Sequence, residues 1–234
     1  MTDWISFYDF KHSVIYVNAR HRDVHYRTIA TDMRAYIPSP AAAVIDYGCG
    51  EATSADLIAQ ACGHLTLVEA APNVRAALSA RYAGTPKISV LTPDQAAALP
   101  PASFDLIILH SVAQYLSAAE LNRLLAIFRK LLKAGGLCVV GDIVPPRLAA
   151  PAAVLSLLRF AAANGFFFAA VFGLMRIFVS DYLRLKKTVG LSHYDEAAML
   201  AKLKRAGYSA TRASRNIGHN QHRMTFLARL DSAG

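Results

Sequence analysis

Short continuous apolar runs alternate with stretches of helical periodicity along most of this chain. Continuous runs predict buried β-strands, and apolar positions spaced three and four apart predict helices that pack on them. The three-residue stretch AGG, residues 134–136, is expected to end one of these helices. Strands alternating with helices imply an α/β fold with a mostly parallel sheet covered on both faces. Strands are predicted in AAAVIDY, HLTLVEA, KISVLTP, FDLIILH, LCVVGDIV, YSATRAS and RMTFLARL, and helices in ATSADLIAQAC, NVRAALSARY, AAELNRLLAIFRKLLK and YDEAAMLAKLKRAGY.

The segments outside this alternating core have their own patterns. Apolar positions from Val24 to Ile37 recur at helical spacing, and Pro38 and Pro40 stop that helix. A chain of 234 residues suits one α/β domain. Its predicted parts are an N-terminal helical cap (1–37), a core (38–146), a hydrophobic helical insertion (147–190) and a C-terminal helix with the last two strands (191–234).

Composition and charge narrow the class of protein. A hydrophobic fraction of 54% argues against disorder. The net charge of +9 would suit nucleic acid, an anionic membrane surface or an acidic small molecule, but the basic residues are scattered, as on a solvated surface. Cys49, Cys62 and Cys138 include no CxxC pair and fit reduced thiols. The N-terminal residues MTDWISFYDFKHS do not resemble a secretion signal, so a cytoplasmic protein is expected.

A glycine turn joins the first predicted strand to the first helix in VIDYGCGEATSADLIA. Gly48 and Gly50 allow a sharp turn and let a ligand approach the main-chain N–H groups. Glu69 ends the second strand, where a carboxylate can accept hydrogen bonds from both hydroxyls of a ribose. The third glycine of a G-x-G-x-x-G dinucleotide pattern would fall on Thr53. These features fit NAD or an adenosyl ligand.

The succession VIDYGCG, LVEAAP, FDLIILHSVAQYL and LLKAGGLCVV closely resembles the class I S-adenosylmethionine-dependent methyltransferases, over about residues 40–145 and the last strands. The family pattern D-x-G-x-G-x-G reads Asp46, Gly48, Gly50 and Ala52 in this chain. The resemblance implies a Rossmann-like sheet of seven strands with the last one antiparallel. It also implies S-adenosylmethionine as cofactor and S-adenosylhomocysteine as product.

The same resemblance assigns roles at the cofactor. The turn from Gly48 to Gly50 would face the methionine part of the cofactor, and His110 its sulfonium side. Either Asp94 or Gln95 would take the adenine edge. The implied cofactor-binding residues are Asp46, Gly48, Cys49, Gly50, Glu69, Ala70, Asp94, Gln95 and His110.

Methyl transfer from a sulfonium is an in-line displacement, and a base is needed only if the nucleophile must lose a proton. The candidates follow predicted strands, at the edge where ligands bind in open α/β sheets. Asp142 has no acidic partner nearby, so no metal is expected. The run HSVAQY replaces the Asn/Asp-Pro-Pro-aromatic motif of enzymes that methylate base amines, so no DNA partner is expected. The catalytic candidates are His110, Tyr115, His219 and His222.

The most apolar part of the chain lies in the insertion. Sixteen uncharged residues separate Arg159 from Arg176, too few for a membrane span, and Asn164-Gly165 interrupts them. Three alternatives remain: a helical lid, a homo-oligomer interface, or a peripheral membrane surface aided by RLKK, residues 184–187. A lid would place the N-terminal segment over the cofactor as well. The residues predicted to contact substrate or form the lid are Tyr8, Tyr16, Arg20, His21, Asp142, Phe168 and Phe172.

A phenylalanine-rich lid favours a hydrophobic acceptor. The sequence thus predicts transfer of a methyl group from S-adenosylmethionine to a small, hydrophobic or lipid-like molecule, with oxygen slightly ahead of nitrogen as the target. A non-catalytic S-adenosylmethionine-binding or regulatory protein of the same fold is one alternative. An RNA or protein methyltransferase is another.

Overall fold

Seven strands form one sheet in the computed structural model, which describes residues 4–5, 9, 16–147, 150–177 and 191–230. The strand order is β3-β2-β1-β4-β5-β7-β6. Neighbours from β1 to β5 are parallel, and β7 is antiparallel to both β5 and β6. The predicted Rossmann-like sheet with an antiparallel last strand is therefore confirmed. The strands are β1 Ala43–Tyr47, β2 His64–Val68, β3 Ile88–Leu91, β4 Phe104–His110, β5 Leu132–Ile143, β6 Tyr208–Arg212 and β7 Met224–Leu230.

Helices cover both faces of the sheet. Because successive strand residues point to opposite faces, Val44 and Leu106 pack on one side while Ile45 and Ile107 pack on the other. Helices α1 to α3 cover the first side, and α4, α5 and α8 the second. The helices are α1 Ala19–Arg34, α2 Ala55–Ala59, α3 Pro72–Tyr82, α4 Pro93–Ala97, α5 Ala118–Leu131, α6 Ala150–Ala163, α7 Phe167–Ile177 and α8 Glu196–Arg205.

One helix boundary differs from the predicted one, and one helix was not predicted. Helix α5 ends at Leu131 rather than at the AGG glycines, because Leu132 already adopts an extended conformation. The glycines instead lie in an irregular part of β5, where Phe104 pairs with Leu132 but Leu106 pairs with Leu137. The sequence analysis also missed α4, which begins with a capping box between Thr92 and Gln95.

The insertion forms α6 and α7, which turn at Gly165 with a φ of 73°. Both helices pack on the start of α1. The Arg20 Nε donates to the Asn164 carbonyl at 2.5 Å, and the His21 ring stacks on Phe166 with centroids 4.9 Å apart. The insertion and the N-terminal helix therefore form one layer over the carboxyl ends of the strands. None of the described helices has the length and apolar content needed to span a bilayer.

Candidate active site

A cavity of about 960 Å³ opens at the carboxyl ends of β1, β2, β4 and β5. This volume is near the upper limit of about 1,000 Å³ for small-molecule sites, so two ligands could occupy it together. We call the part around the glycine turn the cofactor half; it is lined by Asp46, Gly48, Cys49, Gly50, Glu69 and Ala70. The acceptor half lies under α1, α6 and α7 and is lined by His21, His25, Val154, Leu157, Leu174 and His219.

The Glu69 carboxylate organises the cofactor half. Its Oε2 accepts a hydrogen bond from the Gly50 N–H at 2.9 Å, and its Oε1 accepts one from the Ala71 N–H at 2.8 Å. A carboxylate has about four acceptor positions, so each oxygen keeps one for a ribose hydroxyl. Gly48 and Gly50 have φ values of 75° and 60°, in the left-handed region that favours glycine.

Asp46 lies at the end of β1 beneath this turn. Burial, and secondarily the Glu69 carboxylate, raises the pKa of Asp46 to about 7. A buried carboxyl of this kind ionises more readily when a cationic group is bound beside it. The main-chain N–H groups of residues 48–51 already donate within the protein, so the cofactor half presents chiefly two acidic side chains. That chemistry fits the ribose and the cationic methionine end of an adenosyl ligand.

Tyr26 connects the two halves of the cavity. Its Oη accepts a hydrogen bond from the Glu51 N–H at 2.9 Å, directly beside the glycine turn. A Cβ on Gly50 would lie 2.8 Å from that oxygen, so only glycine fits without displacing the tyrosine. The Tyr26 ring is 5.5 Å from the ring of His25. Tyr26 therefore lies between the glycine turn and His25.

Four histidines face the cavity and are held neutral. The ring of His25 lies 6.2 Å from those of His21 and His219. Burial, assisted by neighbouring histidines, lowers the pKa of His21 to about 4 and that of His25 to about 3. Burial also lowers the pKa of His110 and of His219. A neutral imidazole has the unprotonated ring nitrogen that a general base needs, and its lowered pKa also makes it a weaker base than a free histidine.

His110 lies between the two halves. Asp46 pairs with Ile108, so the register brings His110 level with Gly48 at the glycine turn. The ring is buried, and its Nδ1 has no hydrogen-bond partner among the described residues. A Cβ on Gly141 would lie 2.9 Å from this nitrogen, so glycine in β5 provides the space for the imidazole.

Beside His110, Ser111 and Asp142 both adopt left-handed backbone conformations, with φ values of 59° and 64°. Non-glycine residues in this region are uncommon and cluster at functional sites. The Ser111 Oγ donates to Asp142 Oδ2 at 2.5 Å, and Arg223 forms an ion pair with the same carboxylate. Burial alone would raise the pKa of Asp142, but the Arg223 guanidinium, with hydrogen bonds from Ser111 and Asn216, holds that pKa below its ordinary value.

The structure brings most of the sequence-predicted residues to this cavity. Asp46, the glycine turn, Glu69 and Ala70 lie in the cofactor half, and Tyr16, His21, His110, Tyr115, Asp142 and His219 also line the walls. Their individual roles remain predictions. Tyr8 lies outside the described residues.

Six other predicted residues do not line the cavity. The Gln95 side chain caps α4, and Asp94 is exposed; only Pro93 of that segment reaches the wall. His222 is exposed, and Arg20 holds the end of α6. The prediction that Phe168 and Phe172 form the inner surface of a lid is wrong, because they are 79% and 66% exposed on the outside of α7. The insertion contacts the cavity through Ala153, Val154, Leu157 and Leu174 instead.

Sequence analysis missed His25, Tyr26, Ser111 and Arg223, all of which line the cavity. The spacing of His21 and His25, four residues apart on one helix, was an available signal for the histidine pair. Ser111 and Arg223 had no such signal, because their relation to Asp142 exists only in the folded sheet. No group of three or more His, Cys, Asp or Glu side chains in the described part of the chain is placed to hold a metal ion.

Comparisons with known proteins agree with this geometry. A family profile described as a methyltransferase domain matches residues 45–140. A search of curated proteins finds no match.

Solved structures of methyltransferases share the fold at low sequence identity. Magnesium protoporphyrin IX methyltransferase from Synechocystis, with bound S-adenosylhomocysteine, is 15% identical with a TM-score of 0.61, covering 96% of this chain and 97% of that one. Phosphoethanolamine N-methyltransferase 1 from Haemonchus contortus, in complex with phosphoethanolamine and S-adenosylhomocysteine, is 15% identical to this chain with a TM-score of 0.63. The match covers 99% of this chain and 48% of that one. The methyltransferase in complex with the Trm112 activator of Haloferax volcanii is 13% identical to this chain with a TM-score of 0.63. The match covers 99% of this chain and 100% of that one.

The matched domain, the sheet order and the glycine turn with Glu69 together define the class. Residues 45–140 thus form a methyltransferase domain with the class I S-adenosylmethionine-dependent fold, and S-adenosylmethionine is its cofactor.

The neutral histidines predict that the fold loses stability in mild acid. Between the folded pKa of His25, about 3, and its ordinary value of 6.5, the unfolded chain binds more protons than the folded one. Lowering the pH from about 7 to about 5 should therefore cost about 2 kcal/mol of unfolding free energy for such a histidine. Asp46 acts in the opposite direction, because its raised pKa favours the folded state as the pH falls.

Comparing variants isolates the contribution of His25. We expect the unfolding free energy of His25→Phe to fall by about 2 kcal/mol less than that of the wild type between about pH 7 and about pH 5. Urea unfolding at the two pH values measures this difference. His222 is exposed, so His222→Phe should lose as much unfolding free energy on acidification as the wild type. Equal pH dependence in the two variants would contradict the buried neutral state of His25.

Proposed function

We propose that this chain methylates a hydroxyl group on a small, largely apolar acceptor. One observation carries the proposal: a single cavity joins the cofactor half to an acceptor half lined by aliphatic side chains and uncharged imidazoles. Burying an apolar molecule there removes hydrocarbon surface from water, whereas the uncharged imidazoles of this half offer no opposite charge to a charged acceptor. Among the described residues of the wall, Arg223 and Asp142 form an ion pair and neutralise each other.

The aliphatic part of the wall comes from three helices. Ile29 and Met33 of α1 are buried at the cavity, and Val154 and Leu157 of α6 and Leu174 of α7 complete that wall. Pockets of this kind orient a ligand through a few polar groups set in an apolar surface. Here those polar groups are the histidines, so we infer that the acceptor's reactive group points toward them.

Bound S-adenosylmethionine supplies an electrophilic methyl group and leaves as S-adenosylhomocysteine. The chain must align the acceptor oxygen with that group, exclude water, and take up one proton. We assign proton uptake to His110, because it is neutral, buried and level with the glycine turn. The strained Ser111–Asp142 pair beside it fixes the loop after β4, so the imidazole is held in position.

A nitrogen acceptor that is already neutral would not require a base of this kind. The cluster of neutral imidazoles therefore favours oxygen over nitrogen as the methylated atom. Product analysis decides between the two.

The first experiment identifies the acceptor class. The pure protein is incubated with methyl-labelled S-adenosylmethionine and a cell extract, which is then separated into organic, aqueous and macromolecular fractions. Label in the organic fraction, in a product that releases labelled iodomethane when its methyl ether is cleaved with hydriodic acid, supports the proposal. Label in RNA or protein overturns it, and no transfer despite tight S-adenosylmethionine binding favours a non-catalytic binding protein.

Two leucines on α6 provide a matched test of the acceptor half. Leu157 lines the cavity, whereas Leu155 is 47% exposed on the outside of the same helix. With an organic-phase acceptor assayed without lipid, Leu157→Ser should raise KM at least about tenfold, since it removes buried apolar contact of about 1.5–3 kcal/mol. Leu155→Ser should leave KM within about twofold. Equal effects of the two variants would argue against acceptor binding under α6.

A further inference from the structure

The outer side of the insertion carries exposed apolar side chains. On α7, Phe168, Phe172 and Met175 are 79%, 66% and 55% exposed, and the spacing of four and three residues places them on one side of the helix. Leu155 on α6 is 47% exposed. We call these four residues the outer face. Exposed apolar groups in such a cluster mark an interaction surface more often than isolated ones do.

The inner side of the same helices is already packed, so the outer face is not needed for folding. Ala170 is fully buried and Phe166 is 3% exposed against α1. A Cβ on Gly173 would overlap Val17, which shows how closely α7 approaches the N-terminal segment. Two large phenylalanines left in water on the other side gain nothing from this packing.

The exposed charged side chains described within the insertion are basic. The sequence contains no Asp or Glu between Asp142 and Asp181, and within that interval Arg147 and Arg159 are exposed. The net charge of the chain is +9. Aromatic side chains flanked by arginines suit the boundary of an anionic bilayer, where rings enter the acyl region and cations meet lipid head groups.

We propose that the outer face docks the protein on the surface of an anionic lipid bilayer, as a peripheral contact. A second copy of this chain is a poorer occupant. A symmetric dimer through this face would bring the same arginines of two copies together without intervening carboxylates, and like charges in contact are destabilising. A negatively charged membrane instead complements them.

The location also relates the membrane to the cavity. Val154 and Leu157 of α6 and Leu174 of α7 line the acceptor half, on the sides of these helices that face the protein. Docking would thus hold the acceptor half next to the bilayer, where an apolar acceptor concentrates. This consequence rests on the proposed function; the docking itself does not.

The test uses the full chain with vesicles and no acceptor. Binding is measured by flotation with vesicles of phosphatidylcholine alone and of phosphatidylcholine mixed with phosphatidylserine. We expect binding to the mixed vesicles, weakened by high salt, and much less to phosphatidylcholine alone. The double variant Phe168→Ser, Phe172→Ser should lower the partition coefficient at least about tenfold.

Charge reversal provides a matched pair of variants. Arg159→Glu should weaken binding to the mixed vesicles about tenfold, whereas Lys204→Glu, a charge reversal at an exposed position of α8 on one face of the sheet, should weaken it less than about threefold. Thermal melting and S-adenosylmethionine affinity, unchanged in all variants, show that the fold is intact.

Two results overturn the proposal. One is wild-type protein that floats with neither vesicle. The other is a dimer in solution that the phenylalanine double variant dissociates, which would assign the outer face to a second copy. Vesicle binding without label in any organic product would leave docking in place and defeat the proposed function alone.

Discussion

Replacing Glu69 with glutamine is expected to weaken S-adenosylmethionine binding about 100-fold, because hydrogen bonds to a charged group contribute about 1.5–3 kcal/mol each. In the free protein both carboxylate oxygens accept main-chain N–H bonds, from Gly50 and Ala71. Glutamine keeps the shape but has one acceptor oxygen, and its NH₂ group would face an N–H donor. The change thus disturbs the turn and removes a ribose contact together. Isothermal titration with S-adenosylmethionine measures the effect.

Glu196→Gln is the matched control for this experiment. Glu196 begins α8 and pairs with Arg212, away from the cavity, so the same chemical change should leave the dissociation constant within about twofold. Unaltered affinity in Glu69→Gln would mean that the cofactor does not engage this carboxylate. Equal losses in both variants would point to a general electrostatic effect.

Replacing His110 with glutamine is expected to lower kcat by about 10²- to 10⁴-fold while S-adenosylmethionine affinity changes little, because general bases contribute rate enhancements of that size. Glutamine can hydrogen-bond to a hydroxyl but does not take up its proton at neutral pH. His222→Gln is the control, since His222 is exposed and outside the cavity. Single-turnover measurements on an identified acceptor separate the chemical step from product release.

The pH profile adds a readout that a structural role would not change. Burial lowers the pKa of His110, so the neutral base persists below 6.5 and the acidic limb of kcat should lie below that value. In His110→Gln that limb should vanish from the residual activity. A full rate in the variant would transfer the role to His25 or His219 or favour an acceptor that needs no base.

The local pattern was sufficient for the central architecture. Continuous apolar runs predicted the central strands, because a strand buried on both faces is apolar at nearly every position, and this requirement is visible in the residues alone. The glycine turn was predictable for a similar reason: positive φ at Gly48 and Gly50 is a property of the chain itself. Glu69 followed from its position at the end of β2.

The local sequence pattern did not predict the role of a side chain where that role depends on its neighbours in the folded protein. Gln95 was a candidate for the adenine edge, yet its side chain completes the capping box of α4. Phe168 and Phe172 were predicted to contact substrate or form the lid, but the inner side of α7 includes Ala170 and Gly173, which let the helix approach the N-terminal segment at Val17 closely. A run that is apolar at every position does not specify which side a helix buries.

The sequence by itself determined the fold class, the cofactor half of the cavity and the class of enzyme, because these depend on apolar runs, glycine conformations and one carboxylate at a strand end. Only the tertiary structure decided the rest. It brought His25 of α1, His110 at the end of β4 and His219 of the β6–β7 loop to one wall, and it set Ser111 against Asp142. Those contacts join residues far apart in the chain, and their pKa values depend on burial that exists only after the helices pack over the sheet.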